Sequence, residues 1–199
     1  GDVAIMIPVL RALSKAYPLD EFVVASRPKM GPIFHEFKNI YFHALDIDNE
    51  FKGFTGILRL FKRLRNLNPT HIADLHYVIR TRIIGFLFRV LGYKVRRIDK
   101  GRKQKNALTR IKNKLFEPLT PTVFRYSKVF SKLGFRIDIT KTEIIQKNPL
   151  PEKLKDFFYS DKKKWIAIAP FASYEGKTYP LDLMQKVVVF LQRDYKIFL

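Results

Sequence analysis

The fold class is clearest from residues 70–98, which read THIADLHYVIRTRIIGFLFRVLGYKVRRI. The apolar segment Thr70–Leu75 predicts a strand. Val78–Leu91 has the apolar spacing of a helix, which Gly92 ends, and Lys94–Ile98 predicts a second strand. A strand, a helix and a strand in this order predict a parallel βαβ unit, because parallel strands need a long crossover connection.

The same alternation runs through the preceding part of the chain. Helices are predicted over Val3–Tyr17, Pro32–Phe37 and Phe54–Leu67, and strands over Glu21–Ser26 and Ile40–Leu45. Further along, the pattern predicts a basic loop at Gly101–Asn106 and helices near Ala107–Leu115 and Pro121–Leu133. Together these elements predict an α/β fold, a Rossmann-like domain whose mostly parallel sheet carries helices on both faces.

A second series of elements follows a break at Pro149, Leu150 and Pro151. It comprises a helix over Glu152–Tyr159, a strand over Trp165–Ala169, a helix over Leu181–Tyr195 and a strand that starts at Lys196. We therefore predict a first domain over residues 1–148 and the start of a second domain over residues 149–199. We also expect the first domain to lack its initial strand, and the second to be cut short.

The net charge of +20 is the strongest compositional signal, since 38 Lys and Arg face 18 Asp and Glu. Such a charge predicts a partner with phosphates or carboxylates: nucleic acid, an anionic membrane surface or an acidic small molecule. The segment Arg96–Lys114 is densest, with nine cations and one Asp, and it either binds such a partner or forms a solvated face. The lack of cysteine excludes disulfides and thiol nucleophiles. No apolar run approaches the ~20 residues that span a bilayer.

Asp2 opens the first predicted helix, directly after Gly1. Catalytic groups of Rossmann-like sheets lie at the carboxyl ends of the strands, beside helix N-termini, and Asp2 fits that position. Aspartate is also a preferred helix cap, which is the alternative for this residue.

Residues 170–180 read PFASYEGKTYP and lie between a predicted strand and a predicted helix. A polar loop that leads into a helix N-terminus is suited to a phosphate, and Ser173 and Lys177 add a hydroxyl and a charge. The glycine spacing is not that of a Walker A loop, and an ordinary connecting loop is the alternative.

His76 follows a predicted strand end, with Arg80 and Arg82 in the next helix. All three would stand near the carboxyl edge of the sheet, unless this helix is simply solvated. The four histidines lack a metal-ligand spacing, so no metal is expected.

Three motifs together resemble glycosyltransferase family 9: the GDV-x(4)-PVLRAL start, the DLH strand end and the PFAS-x(3)-K-x-Y-P loop. The best-known members are ADP-heptose:lipopolysaccharide heptosyltransferases. The resemblance is most specific at residues 1–18, 70–82 and 165–184. It implies a GT-B fold, in which an N-terminal acceptor domain and a C-terminal nucleotide-sugar domain, both Rossmann-like, face each other across a cleft.

The resemblance also implies a reaction: inverting, metal-independent transfer of heptose from ADP-heptose to the inner core of lipopolysaccharide, without a cofactor. Asp2 matches the family's catalytic aspartate, and Ser173 and Lys177 would bind the donor diphosphate. Acceptor-binding residues would be His76, Arg80, Arg82, Arg59 and Arg63. A lipid-linked acceptor implies a peripheral position on the cytoplasmic face of the inner membrane, with the basic run against anionic lipid.

Two alternatives stay open at this point. The first alternative is that the chain is a member of the same family that uses another sugar donor or another acceptor. The second and more remote alternative is a basic nucleic-acid-binding protein. The sequence contains no helix-turn-helix, zinc-finger or RNP-type motif, so we expect no nucleic-acid partner. With an initial strand and the family's late nucleotide-binding segment missing, residues 1–199 alone are expected to be inactive.

Overall fold

The computed structural model describes residues 2–140, 151–153, 155 and 163–199. The chain divides into two compact units, Gly1–Ile144 and Ile145–Leu199. The predicted boundary at residues 148 and 149 lies outside the described residues.

Unit 1 alternates helices with short parallel strands. Its helices are α1 (Asp2–Ala16), a 3₁₀ helix (Pro28–Phe34), α2 (Gly53–Arg65), α3 (Ile79–Val90), α4 (Arg102–Thr109) and α5 (Thr122–Leu133), and its strands are β1 (Phe22–Ser26), β2 (Ile40–Ala44), β3 (His71–Asp74) and β4 (Lys94–Arg97). Strand β1 pairs with β2, and β3 pairs with β4, both in parallel. The predicted α/β class with parallel strands is therefore confirmed, but among the described residues these strands form two two-stranded sheets, whereas a single sheet was predicted.

Apolar side chains form two clusters in unit 1. The first is built largely from α1 and α5, and the second from α2, α3 and the segment before α2. Ile72 packs against the second cluster, whereas its neighbour Ala73 packs against the first. Because successive side chains of a strand point to opposite faces, the two clusters lie on opposite faces of β3.

Helix α1 forms because its apolar residues recur every three or four positions. Met6, Val9, Leu10 and Leu13 are all buried on the side that faces α5. Pro8 lies inside the helix, where it removes one backbone hydrogen bond. Burial of the apolar face offsets that loss, so the helix continues to Ala16 and fixes Asp2 at its N-terminus.

Unit 2 contains a parallel βαβ arrangement. It consists of β5 (Lys164–Ala167), a 3₁₀ helix (Glu175–Lys177), α6 (Leu181–Leu191) and β6 (Tyr195–Phe198). Lys164 of β5 pairs with Tyr195 of β6. The predicted helix over Leu181–Tyr195 ends earlier, at Leu191. Most of the predicted helix Glu152–Tyr159 lies outside the described residues.

The predicted loop at Gly101–Asn106 and the helix near Ala107–Leu115 are wrong. Helix α4 instead spans Arg102–Thr109, after Gly101 turns the chain with φ +63°. It buries no residue, so it lacks the apolar periodicity from which a helix is predicted. Beyond it the chain is irregular, and Asn113 takes a left-handed φ of +51°.

The short helix predicted over Pro32–Phe37 is present but displaced. A 3₁₀ helix spans Pro28–Phe34 instead. Proline lacks a backbone N–H and is best tolerated in the first turn, so Pro28 marks the start better than Pro32.

Candidate active site

Strand β3 ends in a turn that Asp74 organises. Its carboxylate is buried, and Oδ1 accepts hydrogen bonds from the backbone N–H groups of His76 and Tyr77, at 3.1 and 2.7 Å. Tyr77 takes a left-handed φ of +46°. The buried carboxylate stabilises this turn, which presents the His76 side chain to solvent.

The turn brings His76 close to Asp2. Nδ1 of His76 lies 3.8 Å from Oδ2 of Asp2, and the two side chains are 62% and 70% exposed. That distance is too long for a direct hydrogen bond and short enough for a charge contact or a single bridging group. Burial first, and the charge of Asp2 second, raise the pKa of Tyr126. Asp2, His76 and Tyr126 thus form one cluster.

Asp2 is also the first residue of helix α1. A carboxylate there interacts favourably with the positive end of the helix dipole, which is the structural role open to this residue. That role does not require His76. A role of Asp2 at the helix N-terminus therefore does not explain its contact with His76.

An open pocket of about 460 Å³ lies next to the turn and is lined by Asp74 and Tyr77, whereas Asp2, His76 and Tyr126 do not line it. Arg82 and Arg97 both stand over the ring of Tyr77, 5.5 and 4.7 Å from its centroid. Arg89 also lines the pocket. None of these three arginines forms an ion pair within the described residues. Asp74 is the one acid that lines the pocket, so its cations outnumber its carboxylates.

Arg97 was not predicted as a site residue. Its Cα lies opposite that of Asp74 in the register of β3 and β4, and both strands end there. The signal was present in the sequence, since a cation at the end of one predicted parallel strand lies beside the end of the next. From the sequence, Arg97 was placed only in the basic run Arg96–Lys114.

Two predicted acceptor residues contact the segment before α2 instead. Arg80 donates from Nη1 to the carbonyl of Phe51 at 2.7 Å. Arg63 forms an ion pair with Glu50 at 2.8 Å and donates from Nε to Nε2 of His43 at 3.1 Å. These guanidinium groups stabilise the fold at that segment, whereas Arg82 stands over the Tyr77 ring and lines the pocket.

The two remaining predictions for unit 1 concern Arg59 and metal binding. Arg59 is exposed on α2 and forms no ion pair within the part of the chain that the structure describes. No group of three or more His, Asp or Glu side chains in that part is arranged to hold a metal ion. None of the described helices is long and apolar enough to cross a membrane.

The predicted diphosphate loop in unit 2 is exposed. Lys177 stands over the ring of Tyr174, with Nζ 4.8 Å from the centroid, and forms no ion pair with Glu175. Ser173 lies in the same loop. Helix α6 follows Pro180, and no side chain caps its first backbone N–H groups. Its first turn also contains Asp182, whose charge opposes an anion at this end.

A crystal structure shares this architecture: that of the glycosyl transferase family 9 protein from Veillonella parvula DSM 2008. The TM-score is 0.68 at 20% sequence identity, over 98% of this chain and 58% of the other. The chain has the fold of a family 9 glycosyltransferase. It spans about 58% of the length of that relative, and the resemblance noted from the motifs is confirmed at the level of the fold. No protein-family model and no curated protein sequence matches the chain.

Proposed function

We propose that this chain acts in the transfer of a sugar from a nucleotide-sugar donor to an acceptor hydroxyl, within a GT-B enzyme. Unit 1 binds the acceptor, and unit 2 contributes to donor binding. The observation that carries the proposal is the contact between Asp2 and His76 beside the carboxyl end of β3, 3.8 Å apart, in a fold shared with a family 9 structure.

In this reaction the acceptor hydroxyl attacks the anomeric carbon of the donor sugar. A new carbon–oxygen bond forms as the bond to the nucleoside diphosphate breaks, with inversion of configuration. The hydroxyl proton passes to the Asp2 carboxylate, which is exposed enough to meet a substrate. His76 helps to hold that carboxylate in position.

The leaving diphosphate gains negative charge as the bond breaks. Lys177, the Ser173 hydroxyl and the uncapped N–H groups at the start of α6 are the groups that would stabilise it. Lys177 has no ion pair with Glu175, so its charge remains available for a phosphate. Charge-assisted hydrogen bonds to phosphate are among the stronger contacts in proteins.

The acceptor carries negative charge in this proposal, because the pocket at the ends of β3 and β4 is lined by Arg82, Arg89 and Arg97, with Asp74 as the one acid among its lining residues. The inner core of lipopolysaccharide, with its acidic sugars and phosphates, is such an acceptor. ADP-heptose is the corresponding donor, and the reaction would take place on the cytoplasmic face of the inner membrane.

A donor screen tests the proposal. The active enzyme is incubated with delipidated core acceptor and a panel of nucleotide sugars, and products are identified by mass spectrometry. Mass addition from ADP-heptose supports the full proposal. Addition of another sugar would keep the glycosyltransferase and replace the heptose, whereas no addition and no donor binding across the panel would contradict sugar transfer itself.

A further inference from the structure

The most distinctive surface outside the candidate site is the docking loop, defined as residues 102–116. It contains α4 and the irregular segment that follows. Its cations are Arg102, Lys103, Lys105, Arg110, Lys112 and Lys114. The same residues include no Asp or Glu, and none of these cations forms an ion pair within the described structure. Such a surface repels itself unless an anionic partner relieves the charge.

Large apolar side chains alternate with these cations. Ile111 is 94% exposed, Phe116 is 81% exposed and Leu115 is 50% exposed. Single exposed apolar residues are normal on a protein surface. Three of them in one short segment concentrate exposed apolar surface there, and concentrated exposed apolar surface marks interaction sites.

The loop is held in a defined shape by its own backbone. The N–H of Leu115 donates to the carbonyl of Ala107 at 3.0 Å, which folds the segment back on α4. Arg110 donates from Nε to the carbonyl of Asn113, whose left-handed backbone turns the chain. Ile111 therefore projects from a closed turn.

Charge complementarity selects one kind of partner. An anionic bilayer interface receives cations at the head groups and apolar side chains at the acyl boundary, so both features of the loop are used. A nucleic acid would neutralise the cations through its phosphates but would not need exposed aliphatic side chains. We propose that the docking loop binds an anionic lipid bilayer, with Ile111, Leu115 and Phe116 inserted between the head groups.

This inference rests on the proposed function for its purpose, because a lipid-linked acceptor would be met at such a surface. The two are nevertheless tested separately. Vesicle binding by the chain reports the docking loop, and sugar transfer to a delipidated acceptor reports the active site.

Vesicle co-sedimentation of the chain tests the loop, with neutral phosphatidylcholine vesicles and with vesicles that contain phosphatidylglycerol. We expect binding to anionic vesicles that is at least about 10-fold tighter and that weakens in high salt. The double variant Ile111→Ser/Phe116→Ser should lose about 10-fold or more of that binding. The matched control is Leu19→Ser, which alters a side chain that is 98% exposed elsewhere.

Two charge-reversal variants separate binding through the docking loop from general attraction of a basic protein to an anionic surface. Lys112→Glu/Lys114→Glu should abolish binding, whereas Lys128→Glu/Lys132→Glu, at exposed positions on α5, should reduce it much less. Equal loss in both charge variants, together with unchanged binding of Ile111→Ser/Phe116→Ser, would overturn the docking loop in favour of general charge attraction. Tighter binding to RNA than to vesicles would overturn it in favour of nucleic acid. Circular dichroism confirms that each variant is folded.

Discussion

Nδ1 of His76 and Oδ2 of Asp2 lie 3.8 Å apart because two separate features of unit 1 converge. Helix α1 fixes Asp2 at its first position through an apolar face packed on α5. Asp74 fixes His76 through the turn that its buried carboxylate organises. Each anchor therefore determines where one of the two side chains stands.

Asp2→Asn in the active enzyme should lower turnover by roughly 10²-fold or more, within the range expected for loss of a general base. Donor affinity should change little, because the amide preserves size. Steady-state kinetics and donor titration measure the two effects. Asp20→Asn, at an exposed acid elsewhere in unit 1, is the control. Turnover near that of the wild type would leave Asp2 with only its role at the helix N-terminus.

Arg80→Met should lower the stability of unit 1, whereas Arg82→Met should weaken acceptor binding. Arg80 donates to the carbonyl of Phe51, so its loss should lower the free energy of unfolding by about 1–3 kcal/mol. Arg82 is exposed over Tyr77, so its loss should leave stability within about 1 kcal/mol and weaken acceptor binding instead. Urea denaturation and acceptor titration measure the two. If both variants have the same stability, the structural role assigned to Arg80 is wrong.

Two helix glycines provide a matched pair for packing. A Cβ on Gly56 would lie 2.8 Å from the Cα of Phe51, so Gly56→Ala should destabilise unit 1 by about 1–3 kcal/mol. A Cβ on Gly85 would meet only Val95, at an ordinary 3.5 Å. Gly85→Ala should therefore be neutral or stabilising by up to ~1 kcal/mol, from helix propensity. Thermal melts compare them, and equal melting temperatures would contradict the close approach of Phe51 to α2.

Apolar periodicity predicted the helices and strands that have one buried apolar face. Strand β3 and helix α3 lie within the spans predicted for them, because their apolar side chains face the two clusters of unit 1. Helix α4 buries no residue and therefore left no periodic pattern. Its limits depend on the left-handed turn at Gly101 and on the extended backbone of Arg110, which pattern alone does not locate.

The candidate site was predictable where topology alone places a residue. Asp2 and His76 were both expected at the carboxyl edge of the sheet, and the structure brings them together. The contacts of Arg80 and Arg82 could not be predicted in this way. Both residues lie on the same short helix, and their spacing in the sequence does not reveal which residue each one contacts. The carbonyl that holds Arg80 belongs to Phe51, in a segment distant in sequence.

The pH dependence of stability should involve His43. Burial first, and the nearby Arg63 second, lower the pKa of His43, while Glu50 opposes them. The neutral ring also accepts the hydrogen bond from Arg63, which protonation would remove. The unfolded chain takes up this proton near the ordinary value of 6.5, and the folded chain does so only at lower pH. Stability from His43 is therefore present above that value and is lost as pH falls below it.

His43→Gln should flatten this part of the stability profile, because glutamine accepts a hydrogen bond without titrating. Urea denaturation between about pH 5.5 and 7.5 measures it. His35→Gln, at an exposed histidine, is the control. A profile for His43→Gln that still parallels the wild type would assign the acid sensitivity to other groups.

Lys177→Ala in the active enzyme should raise the donor KM, lower kcat, or both, with little change in melting temperature. Lys177 is exposed and stands over Tyr174, 4.8 Å from its centroid, and an exposed contact of this kind contributes at most about 1 kcal/mol to stability. A diphosphate contact would instead strengthen as the bond to the sugar breaks, so its loss would appear in the kinetics.

Two further variants separate the roles of Lys177 and its neighbour. Tyr174→Leu removes the ring but keeps the charge, so it should impair donor kinetics less than Lys177→Ala does. Lys186→Ala removes an exposed lysine from α6 and controls for the general loss of positive charge in unit 2. If Lys177→Ala matches Lys186→Ala in KM and kcat, Lys177 does not contact the donor. Stabilisation of the leaving group would then fall to Ser173 and the first turn of α6, where Asp182 opposes an anion, and the proposed metal-independent departure of the diphosphate would lose its main support.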